Sequence, residues 1–236
     1  MSNPTPSASP SQATVQQPLG ASAPVDVTSS LAHLPVTLFS IVMGLAGLAI
    51  AWKSVFPASA LAQGLAWLIG LLASLVLVFL VAAYALKIRR HPAEVAAELR
   101  HPVRLNFFPA ISIGLLLLSI FWVGHPVLAD LLWGGGVLLH LGLTLYVMNS
   151  WIHHSHYAIT HANPAWFIPV VGNIIVPLAG VPLGHIEVSW FFFSIGLLFW
   201  LVLLTIVIYR LFFHEALPPR LTPTLFILLA PPSVGF

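Results

Sequence analysis

Residues 61–86 read LAQGLAWLIGLLASLVLVFLVAAYAL, a run of 26 without one charged side chain or proline. As a helix it measures about 39 Å, more than the ~30 Å hydrocarbon core of a bilayer requires. Lys87, Arg89 and Arg90 follow directly, as bases do where a span leaves the membrane on its basic side. The rest of the chain has the same character. Apolar residues make up 59% and charged residues 6% of it, and the mean hydropathy is +1.00. Water is not the main solvent of such a chain. The fold class expected is all-α and polytopic in a membrane.

Outward from that run lie six more apolar stretches: 34–52, 105–123, 127–151, 166–183, 188–213 and 221–236. The last is short for a span and stops at Val234, Gly235 and Phe236 with no polar tail, so the chain is expected to be a fragment or to end early. Residues 1–33, rich in Ser, Pro, Ala, Thr and Gln with Asp26 as the one charged side chain, are expected to be a disordered tail. Neither a basic stretch nor an apolar one precedes Leu34, so no signal peptide is expected. Two domains follow: the tail, and a transmembrane domain over 34–236.

Eight Lys and Arg in 236 residues are too few for a nucleic-acid surface, and the lack of cysteine excludes thiol chemistry. Seven of those bases (Lys87, Arg89, Arg90, Arg100, Arg104, Arg210 and Arg220) fall on the side of the N-terminus, and Lys53 alone on the other. The positive-inside rule then predicts a cytoplasmic N-terminus in the cell (inner) membrane. Trp52, Trp122, Trp151, Trp166 and Trp190 stand at span ends, where amphipathic rings settle among headgroups.

The stretches alternate in kind. The second, fourth and sixth run without internal proline, whereas the odd ones are interrupted: Gly44 and Gly47; Pro109 and Gly114; Pro169, Gly172, Asn173 and Pro177; Pro231 and Pro232. Each proline removes a helical hydrogen bond, and in hydrocarbon the freed carbonyls are tolerated only inside protein or along a wet cavity. The odd spans are therefore expected to be inner helices. Phe107-Phe108-Pro109, Phe167-Ile168-Pro169 and Leu229-Ala230-Pro231 recur at intervals of 60 and 62 residues, about one helical hairpin each. Broken spans at matching places of internal repeats point to a transport path.

No odd span holds an internal Lys, Arg, Asp, Glu or His, so the path is expected to be uncharged, holding anions weakly through helix dipoles and donors such as Ser112 and Asn173. Gly44, Ser112, Gly172 and Asn173 are the candidate lining residues, Pro109, Pro169, Pro177 and Pro231 the kinks, and Arg104 a rim charge that draws anions to the inner mouth or anchors topology. His140, midway along the fourth stretch, is expected in a hydrogen bond between helices. His153, His154, His156 and His161 share a loop without Cys or acid and read as a solvated, pH-responsive loop, not a metal site. Glu94 and Glu98 suit a short surface helix. No catalytic constellation, metal or cofactor is expected.

His101-Pro102-Val103-Arg104-Leu105-Asn106-Phe107-Phe108-Pro109-Ala110-Ile111-Ser112 and Pro164-Ala165-Trp166-Phe167-Ile168-Pro169-Val170-Val171-Gly172-Asn173 resemble the tellurite-resistance and slow-type anion channel family, which also includes dicarboxylate and malate carriers. The resemblance covers residues 34–236. It implies ten helices in five hairpins, seven of them present here, a central pore of proline-kinked odd helices, and a homotrimer whose subunits conduct separately. It also implies a pore-occluding phenylalanine on a ninth helix, to which no residue here corresponds. The function expected is passive conduction of small inorganic or organic anions. The alternatives are a proton-coupled carrier of dicarboxylate, sulfite or tellurite, and a non-conducting fragment or structural subunit.

Overall fold

The computed structural model describes residues 31–153 and 159–234, and every regular element among them is helical. Residues 1–30, with most of the expected tail, lie outside that range, as do His154 and His156. Five helical stretches are long and apolar enough to cross a membrane: Val36–Val55, Ala60–Arg90, Arg104–Phe121, Pro126–His153 and Ile186–Phe213. The fifth and seventh expected spans are shorter apolar segments, Pro164–Gly180 and Thr222–Val234. The chain is thus a polytopic helical membrane protein. Large apolar side chains such as Leu61, Leu75, Phe79, Leu131, Leu138 and Leu198 stand exposed along the long helices, a surface suited to lipid.

Helix α1 (Phe39–Val55) and helix α2 (Ala60–Arg90) form the first hairpin. The Ser59 hydroxyl caps α2 by accepting the Ala62 N–H at 3.3 Å. The Gln63 amide donates to the carbonyls of Lys53 and Phe56, at 3.0 and 3.1 Å, and so satisfies acceptors that the end of α1 leaves open. Helix α3 (Pro92–Arg100) opens on a proline, whose missing N–H costs nothing at a first turn. It is the short helix expected around Glu94 and Glu98, but it is not wholly a surface element. Glu98 is buried, 3.1 Å from the Lys87 ammonium, and accepts from the Tyr84 hydroxyl at 2.6 Å. Lys87 also donates to the Leu34 carbonyl at 2.8 Å, which ties the entry of the first span to the same knot.

A 3-10 turn (Arg104–Phe107) leads through Pro109 into helix α4 (Ala110–Phe121). Helix α5 (Pro126–His153) returns beside it as a second hairpin. The third begins with a 3-10 turn (Pro164–Trp166), helix α6 (Phe167–Val170), a 3-10 segment (Val171–Ile175) and helix α7 (Val176–Gly180). It turns at Gly184, whose φ of 89° lies in the left-handed region that glycine enters without penalty. Helix α8 (Ile186–Phe213) descends, and a 3-10 segment (Thr222–Leu229) with helix α9 (Ala230–Val234) follows.

The α4 span is the centre of the bundle: 67% of its apolar stretch is buried, against 33% for α5 and 22% for α8. α1 departs from the inner position expected of odd spans. It packs on α2 and α4 through Phe39, Val42 and Ala46, while Ile41, Gly44, Leu48 and Val55 lie exposed on another face.

Candidate functional site

Prolines divide the inner spans into short segments. Pro109 immediately precedes α4, Pro177 lies in the first turn of α7, Pro231 in the first turn of α9, and Pro169 inside the single turn of α6. Broken helices expose carbonyls, and neighbouring polar side chains take them up. Thr144, on α5, donates its hydroxyl to the Pro169 carbonyl. Trp133, also on α5, donates its indole N–H to the Val176 carbonyl at 3.0 Å. Asn173 turns back to the Val170 carbonyl at 2.7 Å, and the Ser112 hydroxyl donates to the Pro109 carbonyl at 2.8 Å. The Pro109 carbonyl also accepts the Ile113 N–H at 2.9 Å, and an unpaired carbonyl in hydrocarbon would cost roughly several kcal/mol.

With its polar groups turned into the protein, the broken layer presents an apolar wall. A cavity of about 70 Å³ is enclosed by Met43 of α1, Ile113 of α4, Phe167 and Gly172 of the third hairpin, and Ile227 and Pro231 near the end of the described chain, among others. All four odd-numbered spans contribute, and among the described residues no charged one lines it. Of the four candidate lining residues, Gly172 is at this wall. Ser112 and Asn173 are buried with their side chains in the carbonyl bonds just described, and Gly44 is on the exposed face of α1.

Gly172 stands between the cavity and a histidine. A Cβ at this position would lie 3.1 Å from His140 Nε2 and 2.8 Å from Ile113 Cδ1, so only glycine lets the imidazole and Ile113 approach the backbone together. His140 comes from α5, the neighbouring helix without an internal proline, and is fully buried. Its Nδ1 is 2.8 Å from Ser112 Oγ, the interhelical bond expected for it. The single hydroxyl proton of Ser112 already goes to Pro109, so Nδ1 carries the proton and donates. Nε2 is left bare and buried, with no hydrogen-bond partner among the described residues.

Charges gather at the two ends. Arg104 is exposed at the rim of a separate hollow of about 300 Å³, shared with His33, Glu94 and Glu98. Beside it His101 accepts the Val103 and Arg104 N–H groups on Nδ1, at 3.1 and 3.3 Å. Burial, with the Arg104 charge second, pushes the His101 pKa below its ordinary value. At the opposite end Lys53, the one base there, donates to the Phe121 carbonyl at 3.1 Å and lies over the rings of Trp67 and Phe121. It thereby meets the negative pole of α4. Sequence reading placed Lys53 only as a loop charge, because the pairing spans 68 residues. Thr144 and Trp133 were also missed, although a signal existed. Trp133, Val137, His140, Thr144 and Val147 recur at three- and four-residue steps, one face of α5, and all are buried.

Comparison with known proteins bears on what this arrangement does. A family profile described as voltage-dependent anion channel matches residues 33–236. An S-type anion channel of Arabidopsis thaliana is 33% identical over 219 residues, 87% of this chain and 34% of that protein. A tellurite resistance protein TehA homologue of Haemophilus influenzae is 30% identical over 207 residues, 85% of this chain and 62% of its own. An uncharacterised transporter of Methanocaldococcus jannaschii is 31% identical over 159 residues, 62% of this chain and 46% of that protein. The chain spans about half the length, or less, of several curated relatives that it matches.

Proposed function

The chain belongs to the voltage-dependent anion channel family, and from that premise we propose that it forms the conducting part of a passive pathway for small inorganic or organic anions. One observation carries the reading: all four odd-numbered spans meet at one cavity with no charged residue among its described lining, and polar side chains beside the breaks are engaged by backbone carbonyls. An apolar, uncharged wall binds an anion weakly and releases it readily, which suits fast passage selected by size and dehydration cost. Seven of eight Lys and Arg gather at one end, which supports a cytoplasmic N-terminus in the cell membrane and a raised anion concentration at the inner mouth. Arg104 contributes to that field, although Glu94 and Glu98 share its hollow. A homotrimer of separately conducting subunits is part of the proposal, drawn from the family resemblance. The path has no catalytic role.

The test is anion flux in proteoliposomes holding this chain or a C-terminally extended one, with chloride, nitrate and malate, the voltage clamped and the pH gradient varied. Flux that follows voltage and needs no pH gradient supports the reading. Accumulation against the anion gradient, driven by pH, overturns it in favour of a carrier.

A further inference from the structure

The path wall is uncharged, yet a titratable group stands directly behind it at mid-membrane. His140 is halfway along the 28 residues of α5, which places it near the bilayer midplane, where an ionisable residue is a candidate functional site by default. Its Nδ1–H is committed to Ser112, its Nε2 lone pair has no partner among the described residues, and that nitrogen packs against Gly172, a residue of the cavity lining.

A proton arriving at Nε2 would create a full positive charge there, and the described residues around it offer no charge to balance it. Helix α4, helix α6, the segment Val171–Ile175 and helix α7, which surround this part of α5, contain no Asp, Glu, Lys, Arg or second His. On α5 itself the other titratable groups are Asp130, about 15 Å up the helix and paired with His185 at 2.6 Å, the exposed phenol Tyr146, about 9 Å down it, and His153, about 20 Å down it. Glu187 and Arg210 of α8 lie toward the two ends of that helix, in its first and last turns. Among the described residues no counter-charge stands beside His140, and the cavity at Gly172 offers a place for one, as an anion.

We propose that His140 is a proton-linked anion site: protonation at Nε2 and anion occupancy of the adjacent cavity favour one another. Binding free energies are reciprocal, so acid strengthens anion occupancy and the anion strengthens protonation. The pathway would then open to anions as pH falls, through a neighbouring outer helix and not through a charge on the pore-lining spans. This rests on the anion-conduction reading and adds a regulator to it.

Chloride flux is measured in phosphatidylcholine–phosphatidylglycerol vesicles at symmetric pH 7.5 and 4.0, for the wild type and His140→Gln, whose amide can still donate to Ser112. The wild-type rate should rise by about five-fold or more, the lower end of ordinary site-to-site coupling, and the ratio for His140→Gln should be near one. An equal pH response in both proteins overturns the proposal. A second reading uses the wild type alone, so it survives a variant that does not fold. By imidazole ¹⁵N resonances, the solvent-shielded histidine with a protonated Nδ1 and bare Nε2 should become doubly protonated on acidification in chloride and remain singly protonated in gluconate. Identical titration in the two anions overturns the proposal. If no flux occurs at any pH, the conduction reading falls, and the resonance experiment still decides for or against His140.

Discussion

Replacing Gly196 by alanine tests how tightly an outer helix is set against the broken layer. Gly196 lies on α8, and a Cβ there would come 2.6 Å from Ile174 Cγ1, 2.8 Å from the Ile174 backbone nitrogen and 3.3 Å from the Asn173 carbonyl carbon. A side-chain methylene can rotate away, but a backbone amide cannot. Restoring ordinary contact, 3.4 Å or more, needs a shift of roughly 0.6 Å between α8 and the segment Val171–Ile175. Overpacking of this kind costs about 1–3 kcal/mol, equivalent to a fall of roughly 2–12 °C in Tm for a chain of this size. The assay is the thermal midpoint of detergent-solubilised protein, followed by the monodisperse fraction on size exclusion. Gly134→Ala is the control, since nothing lies within 4 Å of its Cβ position. There alanine should leave Tm unchanged or raise it by a few degrees, through the ~0.5–1 kcal/mol that glycine costs inside a helix. If Gly196→Ala matches or exceeds the wild type, the close approach of α8 to the broken layer is wrong.

Three further outcomes follow from other parts of the bundle. Lys87→Met or Glu98→Leu should each cost about 3–5 kcal/mol by stranding a buried partner, whereas the two together should recover most of the loss; a double-mutant cycle by denaturant unfolding in detergent that shows simple additivity would refute the pairing. Thr144→Val leaves the Pro169 carbonyl without its donor and should cost about 1–2 kcal/mol, while Thr144→Ser should retain most of the stability in the same unfolding measurement. His101 has a folded pKa below its unfolded value of 6.5, so its stabilising contribution is complete above about pH 6.5 and is lost as pH falls below that; the Val103 and Arg104 amides should lose exchange protection in acid in the wild type and keep it in His101→Asn.

Much of the architecture is legible in the residues, because hydrophobic length is a local property and a bilayer reads it directly. Residues 61–86 predict α2 to within a turn at each end, and the second, fourth and sixth stretches fold as continuous helices. Pro169, Gly172 and Pro177 likewise foretell that the fifth stretch is broken, and the structure resolves it into four short segments. What periodicity cannot give is where polar side chains aim, since that depends on rotation about each helix axis. Ser112 and Asn173 read as donors to a path, yet both serve carbonyls of their own segments. Lys87 and Glu98, 11 positions apart, read as two loop charges, and only the fold of α3 over α2 makes them a buried pair. The inner position of α4 was legible from its interruption, but the exposed face of α1 was not, because glycines at Gly44 and Gly47 suit lipid-facing and protein-facing backbone alike.

The donors that service the broken third hairpin have a bearing on how the chain is made. Thr144 and Trp133 belong to α5, which is synthesised and delivered to the lipid before residues 164–180 emerge. Lys53 likewise precedes the Phe121 carbonyl that it caps. The broken segment 164–180 thus leaves the ribosome after the helix that will complete it, so the order of translation itself shields its backbone. Circular permutation that reversed this order would ask an incomplete helix to wait alone in hydrocarbon.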